Sequence, residues 1–278
     1  MVTCLFLYGE IYPIEVSKGI IIYIILENCT SFKINSWEES PCERSSRMDK
    51  KEMGKAGLLS MLQAIDAFLP IGAFTLSNGM ETYVQQNKIT CEQDLEEYLQ
   101  EYARLFPYQD LGLFYLAYEN ADNVEKCMEL DALCAAMKTP REIRVGSEKT
   151  GIRFLKLQQE LGECPRLMKY WDCVQEKRAS GFHPIALGIF AADQGMEASE
   201  AMYMYGYSMF SAIINNAAKL VPLSQVRGQV ILAKYLPVLQ ECVEQAKAIT
   251  EEELGISGVA YTIRCMQHER LYSRLYMS

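Results

Sequence analysis

Apolar residues along most of this chain recur with the period of a helix rather than a strand. From Gly57 onward nearly everything reads as amphipathic helix, about nine or ten of them, with no convincing alternation of period two. Leu58 to Phe68 is a short apolar helix that Pro70 stops. Leu95, Tyr98, Leu99, Tyr102 and Phe106 follow i, i+3, i+4, i+7 spacing, and Thr90-Cys91-Glu92-Gln93 reads as the capping box that opens their helix. Pro107 ends it, and Leu111 to Tyr118 begins the next. Thr139-Pro140-Arg141-Glu142 reads as a second capping box, with proline at the first helical position. Pro165 and Pro184 fit the same position, Ser224 reads as an N-cap, and Pro237 restarts or kinks the helix that contains it. The pattern predicts an all-α fold: one helical-bundle domain over residues 57–278.

Residues 1–56 differ. Met1 to Thr30 is rich in Ile, Val and Tyr and reads as short strands or no stable structure; Ser36 to Lys55 reads as a charged linker. Met48 and Met53 could each start translation, so the expectation is a disordered N-terminal extension, or a misassigned start, outside the main fold. Ala201 to Ala218 lacks charge for 18 residues, the length of a membrane span. Its Asn215, Asn216, Ser208, Ser211 and three tyrosines are costly at bilayer depth, so the prediction is a central helix surrounded by protein.

Composition narrows the function. The net charge is −9, and a chain so acidic lacks the clustered cations that neutralise nucleic-acid phosphates. The run Gly19 to Leu26 is too short to span a bilayer, and no basic segment precedes it, so the expected location is the cytoplasm. Ten cysteines include no C-x-x-C pair and only two histidines accompany them, which reads as buried reduced thiols rather than a zinc site.

The stretch Leu69 to Tyr83 (LPIGAFTLSNGMETY) carries two glycines and two hydroxyls before a helix start. A phosphate loop needs G-x-x-x-x-G-K-[ST]; here Gly72 and Gly79 are separated by six residues and Glu81 follows. The structural reading is a corner between helices, with Thr75 or Ser77 capping a helix in whose early turns Glu81 favours the dipole. His183 reads as a packing or capping residue before Pro184, and His268 as a complement to a helix C-terminus. No Glu-x-x-His pair or aspartate cluster suggests an active site. Two features suggest binding instead. Arg141, Arg144, Lys149, Arg153 and Lys156 share one helix with Gly146 and Gly151, whose small size suggests close helix approach. The C-terminus repeats Arg-Leu-Tyr at Arg270 and Arg274, one helical turn apart, and Tyr and Arg dominate interface energetics.

Together with Leu69 to Tyr83, the blocks REIRVGSEKTGIRFLKL (141–157), HPIALGIFAADQGM (183–196), NNAAKLVPLSQVRGQ (215–229) and HERLYSRLYMS (268–278) resemble the UreF family of urease accessory proteins over essentially residues 58–278. The resemblance implies an all-helical, dimeric, non-enzymatic cytoplasmic chaperone for nickel insertion into apo-urease. It implies a scaffold between UreD (also called UreH) and the GTPase UreG that regulates GTP-dependent nickel delivery. On that resemblance Arg270, Tyr272, Ser273, Arg274 and Tyr276 form the segment docking onto UreD. Pro70, Gly72, Phe74, Ser77, Gly79 and Glu81, with Arg141 and Arg144, belong to the dimer face that receives UreG. No cofactor or metal site is expected in this chain. Two departures stand out: Leu76-Ser77-Asn78-Gly79 where the family commonly has His-Ser-Phe-Gly, and Arg227-Gly228 where it has Asp-Gly. The alternatives are a helical thiaminase-like enzyme with a Cys nucleophile, and an arginine finger, Arg141 or Arg144, acting on a GTPase.

Overall fold

The computed structural model describes residues 11–16, 20–25 and 50–277. Contacts divide the chain into two units, residues 1–47 and 48–278. In the first, Ile11–Val16 (β1) and Ile20–Ile25 (β2) pair antiparallel, with Ile11 opposite Ile25 and Val16 opposite Ile20. The expectation of a disordered extension or a misassigned start otherwise falls outside the described residues.

The described part of the second unit is helical. Its α-helices are Lys50–Ala64 (α1), Met80–Gln85 (α2), Glu92–Leu105 (α3), Asp110–Glu119 (α4), Val124–Met137 (α5), Arg141–Leu161 (α6), Pro165–Gln175 (α7), His183–Asp193 (α8), Ala198–Leu220 (α9), Gln225–Ala248 (α10) and Val259–His268 (α11). Helix α1 begins inside the stretch read as a charged linker and stops at Ala64, short of Phe68. The burial explains the early stop: Met61 and Ala64 enter the core, whereas Phe68 is exposed in a turn whose N–H donates to Asp66 Oδ1.

Helix α8 is the centre of the bundle. Every residue from Pro184 to Ala191 is buried, so it has no polar face to offer water. It packs on α4 through the buried side of Leu111, Leu113, Phe114 and Ala117, with α6 and α7 alongside. Helices α9 and α10 pack along each other and close the other side. Between the layers lie Tyr102, Phe106, Phe114, Tyr205 and Phe210; Phe114 and Tyr205 stack at 5.4 Å. Helix α9 is not apolar on all sides in its packing, contrary to the prediction. Ala201, Met202, Tyr205, Phe210, Ile213 and Ile214 are buried, while Tyr207 is exposed and Ser208, Ser211 and Asn215 line an open cavity. No helix among the described residues is long and apolar enough to cross a membrane.

Both capping boxes shift when tertiary contacts are counted. At α3 the N-cap is Cys91, and Asp94 rather than Gln93 accepts from Thr90 N and Cys91 N. At α6 Pro140 is the N-cap, and Glu142 points away from the helix start to partners described below. Pro184 is the second residue of its helix, after His183, whereas Pro165 opens α7 and Ser224 caps α10 by accepting from Arg227 N. Pro237 lies within α10, which continues past it to Ala248.

Gly151 explains how α6 meets the start of α8. A Cβ there would lie 2.0 Å from Gly181 O and 2.6 Å from His183 N, both backbone atoms that cannot rotate away. Gly151→Ala is therefore expected to cost about 1–3 kcal/mol through overpacking, read as a lowered urea midpoint at unchanged slope. An unaltered midpoint would show that the two segments are not in contact in solution.

Candidate functional site

The corner after α1 is built by backbone conformation. Pro70 cannot continue a helix, and Gly72 (φ 81°) and Gly79 (φ 78°) occupy the left-handed region where glycine carries no Cβ penalty. Asn78, at φ 53°, is one of the few other residue types that tolerate it, and its carbonyl accepts from Tyr98 Oη at 2.7 Å. Between them Ala73–Thr75 makes a 3-10 turn in which Thr75 Oγ1 donates to Gly72 O. Neither Thr75 nor Ser77 caps the next helix: Gly79 is the N-cap of α2, and the Ser77 hydroxyl is buried without a partner.

The consequence is that Glu81, in the first turn of a six-residue helix, is 2% exposed. A buried carboxylate must be paired and hydrogen-bonded. Its Oε1 accepts the backbone N–H of Leu275 at 2.8 Å, and its Oε2 accepts that of Tyr276 at 3.2 Å and faces His268 Nε2 at 3.0 Å. His268, fully buried at the end of α11, meets Glu142 Oε2 through Nδ1 at 2.7 Å. The other oxygen of Glu142 accepts from Arg274 Nη1 at 2.6 Å. A neutral imidazole has one N–H, so both carboxylate contacts are satisfied only when the cluster holds one further proton, on the ring or on a carboxyl. The two ring nitrogens face opposite carboxylates and therefore do not converge on one point that a metal ion could occupy.

Further bonds fasten the same segment. Gln85 Nε2 donates to Ser273 O at 2.7 Å, Met277 N to Thr75 O at 2.8 Å, and Tyr276 Oη to Asn216 O at 3.3 Å. Where α6 meets this segment there is a groove of about 400 Å³ lined by Arg141, Glu142, Lys149, Arg274 and Tyr276 among others.

Two sets of residues that sequence reasoning kept apart thus lie together. Glu81 of the corner and Ser273, Arg274 and Tyr276 of the C-terminal segment belong to one network with α6. Pro70 and Phe74 are exposed on the corner, and Arg270 and Tyr272 are exposed on the C-terminal segment. Arg141 is exposed beside Glu269 at 3.5 Å. Arg144 turns back onto its own connection, donating to Lys138 O at 2.9 Å and Thr139 O at 3.4 Å. Glu142 was read as a cap and His268 as a dipole complement because both local signals are genuine; their true partners are 126 and 187 positions away.

The departures noted in the sequence also have partners. Arg227 pairs with Glu92 at the start of α3, and that bond holds the Glu92 carboxyl below its usual range. Leu76 packs over Gly146, where a Cβ would lie 2.7 Å from its Cδ2. For the enzyme alternative, burial pushes the thiols of Cys127, Cys242 and Cys265 up to about 12 and that of Cys164 to about 11, opposite to the depression a nucleophile needs.

The UreF family model matches residues 89–236. The chain is 38% identical over 229 residues to the urease accessory protein UreF of Actinobacillus pleuropneumoniae serotype 5b (strain L20), covering 81% of this chain and all of that protein. It is 39% identical over 222 residues to the same-named protein of Haemophilus influenzae (strain PittGG), covering 79% and 94% respectively. To that of Bacillus sp. (strain TB-90) it is 34% identical over 225 residues, covering 80% and 99%.

Proposed function

This chain belongs to the UreF family of urease accessory proteins, and from that premise we propose that it is a non-catalytic scaffold joining UreD (UreH) to the GTPase UreG during nickel insertion into apo-urease. The observation that carries the reading is how the C-terminal segment is held. Its backbone and Arg274 are fixed on Glu81 and Glu142, while the Leu275 side chain remains 73% exposed and Tyr272 wholly so. Val259, Ile263 and Met266, at i, i+4 and i+7 of α11, are exposed and apolar as well. A backbone so firmly anchored, carrying exposed aromatic and aliphatic side chains, is pre-organised for a protein partner and loses little entropy on binding.

On this reading α11 and the segment 270–278 receive UreD, and the corner with Phe74 and Arg141 contributes to a homodimer face that seats UreG. The setting is the cytoplasm. On this reading nickel is cargo of the assembled complex rather than a resident of this chain. Removal of residues 270–278 is expected to abolish co-purification with UreD at unchanged far-ultraviolet circular dichroism. The double variant Tyr272→Ala, Leu275→Ala, which leaves the anchoring bonds in place, is expected to weaken it at least tenfold. Retention of UreD by both variants would refute the assignment.

A further inference from the structure

A second cavity, of about 560 Å³, has in its wall Asn216, whose carbonyl accepts from Tyr276 Oη. Its lining runs from the exposed side chains of Leu62, Phe74 and Tyr207 to the buried ones of Lys138 and Thr150 and the partly buried His183. The depth is chemically unlike the core around it. Lys138 Nζ donates to Asp110 Oδ1 at 2.7 Å, with both side chains largely shielded from water. His183 is partly buried and stands edge-on to Phe154 and Tyr205, each 5.9 Å away. Its Nε2 has no hydrogen-bond partner, and neither has Thr150 Oγ1. Buried polar atoms are nearly always satisfied, so two orphans lining one cavity mark a place where something else supplies the partners.

The charges select the class of ligand. Lys138 and Asp110 neutralise each other, and burial pushes His183 down to about 4, so the imidazole is uncharged near neutral pH. An anion would compete with Asp110 for Lys138, and a cation would compete with Lys138 for Asp110; either leaves one buried charge unpaired. An uncharged molecule with an acceptor and a donor side by side meets no such penalty. A primary carboxamide has that arrangement: its carbonyl accepts from an ammonium while its NH₂ donates to a carboxylate or to an imidazole lone pair. The apolar walls, Leu76, Ile143 and Leu187, suit a hydrocarbon body behind the amide. The volume falls within the range of small-molecule sites.

We propose that this cavity binds a small uncharged molecule bearing a primary carboxamide, held by Lys138 and Asp110 and completed by His183 and Thr150. The mouth of the cavity reaches Phe74 of the corner, whereas the four polar groups at its depth are distinct from the residues assigned to UreD or UreG, and the proposal does not depend on that assignment. The test is calorimetric titration of the full chain with three isosteric probes: benzamide, benzoate and benzylamine. Benzamide is expected to bind one to one, at least tenfold more tightly than either ion. Thr150→Val and His183→Phe, which preserve shape, are each expected to weaken benzamide about tenfold, the loss of one hydrogen bond. Arg178→Ala, at an exposed residue that does not line the cavity, should leave it unchanged. Circular dichroism reports folding, and either isosteric variant suffices if the other misfolds. Equal binding of the three probes, benzamide affinity unchanged in the folded variants, or no saturable binding would each overturn the proposal; the last would mean that water alone fills the cavity.

Discussion

Glu81→Ala is expected to release residues 273–277 from the bundle and to lower the free energy of unfolding by about 3–5 kcal/mol, the cost of removing one partner from a buried charged network. The size follows from what the substitution leaves behind. His268 Nε2 and the N–H groups of Leu275 and Tyr276 all lose their partner at once, the first of them wholly shielded from water and the other two partly so. Amide hydrogen exchange at Leu275 and Tyr276 should accelerate strongly, alongside a drop in the urea midpoint. Glu81→Gln, which retains an acceptor oxygen, should fall between wild type and alanine. Arg274→Ala provides the contrast: its pair with Glu142 is half exposed, so its contribution is expected to be within about 1 kcal/mol. Unchanged exchange at Leu275 in Glu81→Ala would mean that the carboxylate does not anchor the segment.

Acidification is expected to destabilise the protein through His183. Burial holds its folded-state value at about 4, against about 6.5 for an exposed histidine. Between those two values the unfolded chain binds more protons than the folded one, so stability rises with pH across this window. The contribution is therefore complete above about pH 6.5 and is lost as the pH falls to about 4, by about 3 kcal/mol at most. His183→Phe keeps a ring between Phe154 and Tyr205 and removes the titration. The difference in unfolding free energy between pH 7 and pH 4 should be smaller in that variant by about this amount. Parallel stability curves for the two proteins would rule out a neutral buried His183.

Legibility from sequence follows the range of the interactions concerned. Helix existence was plain because Leu95, Tyr98, Leu99 and Tyr102 carry the period themselves, and all four are buried on one face of α3. The tight approach at Gly151 was legible too, since only a missing Cβ allows it. The caps at α3 and α6 were misplaced by one residue because neighbouring Asp94, and a proline that fits two positions, compete locally. The cavity was invisible: Asp110, Lys138, Thr150 and His183 come from separate elements and share no spacing. The family resemblance named Glu81 and Arg274 without indicating that they belong to one network.

The sequence by itself determined an all-helical bundle, the corner at Pro70 and Gly79, and membership of the UreF family, because periodicity, proline and glycine act within a few residues of where they stand. Only the tertiary structure decided what Glu81, Glu142 and His268 do. Each carries an ordinary local signal, a residue favouring a helix end. A buried charge, however, is governed by whichever opposite charges and N–H groups folding brings within about 3 Å. That distance is set by the packing of α2, α6 and α11, and no spacing along the chain records it.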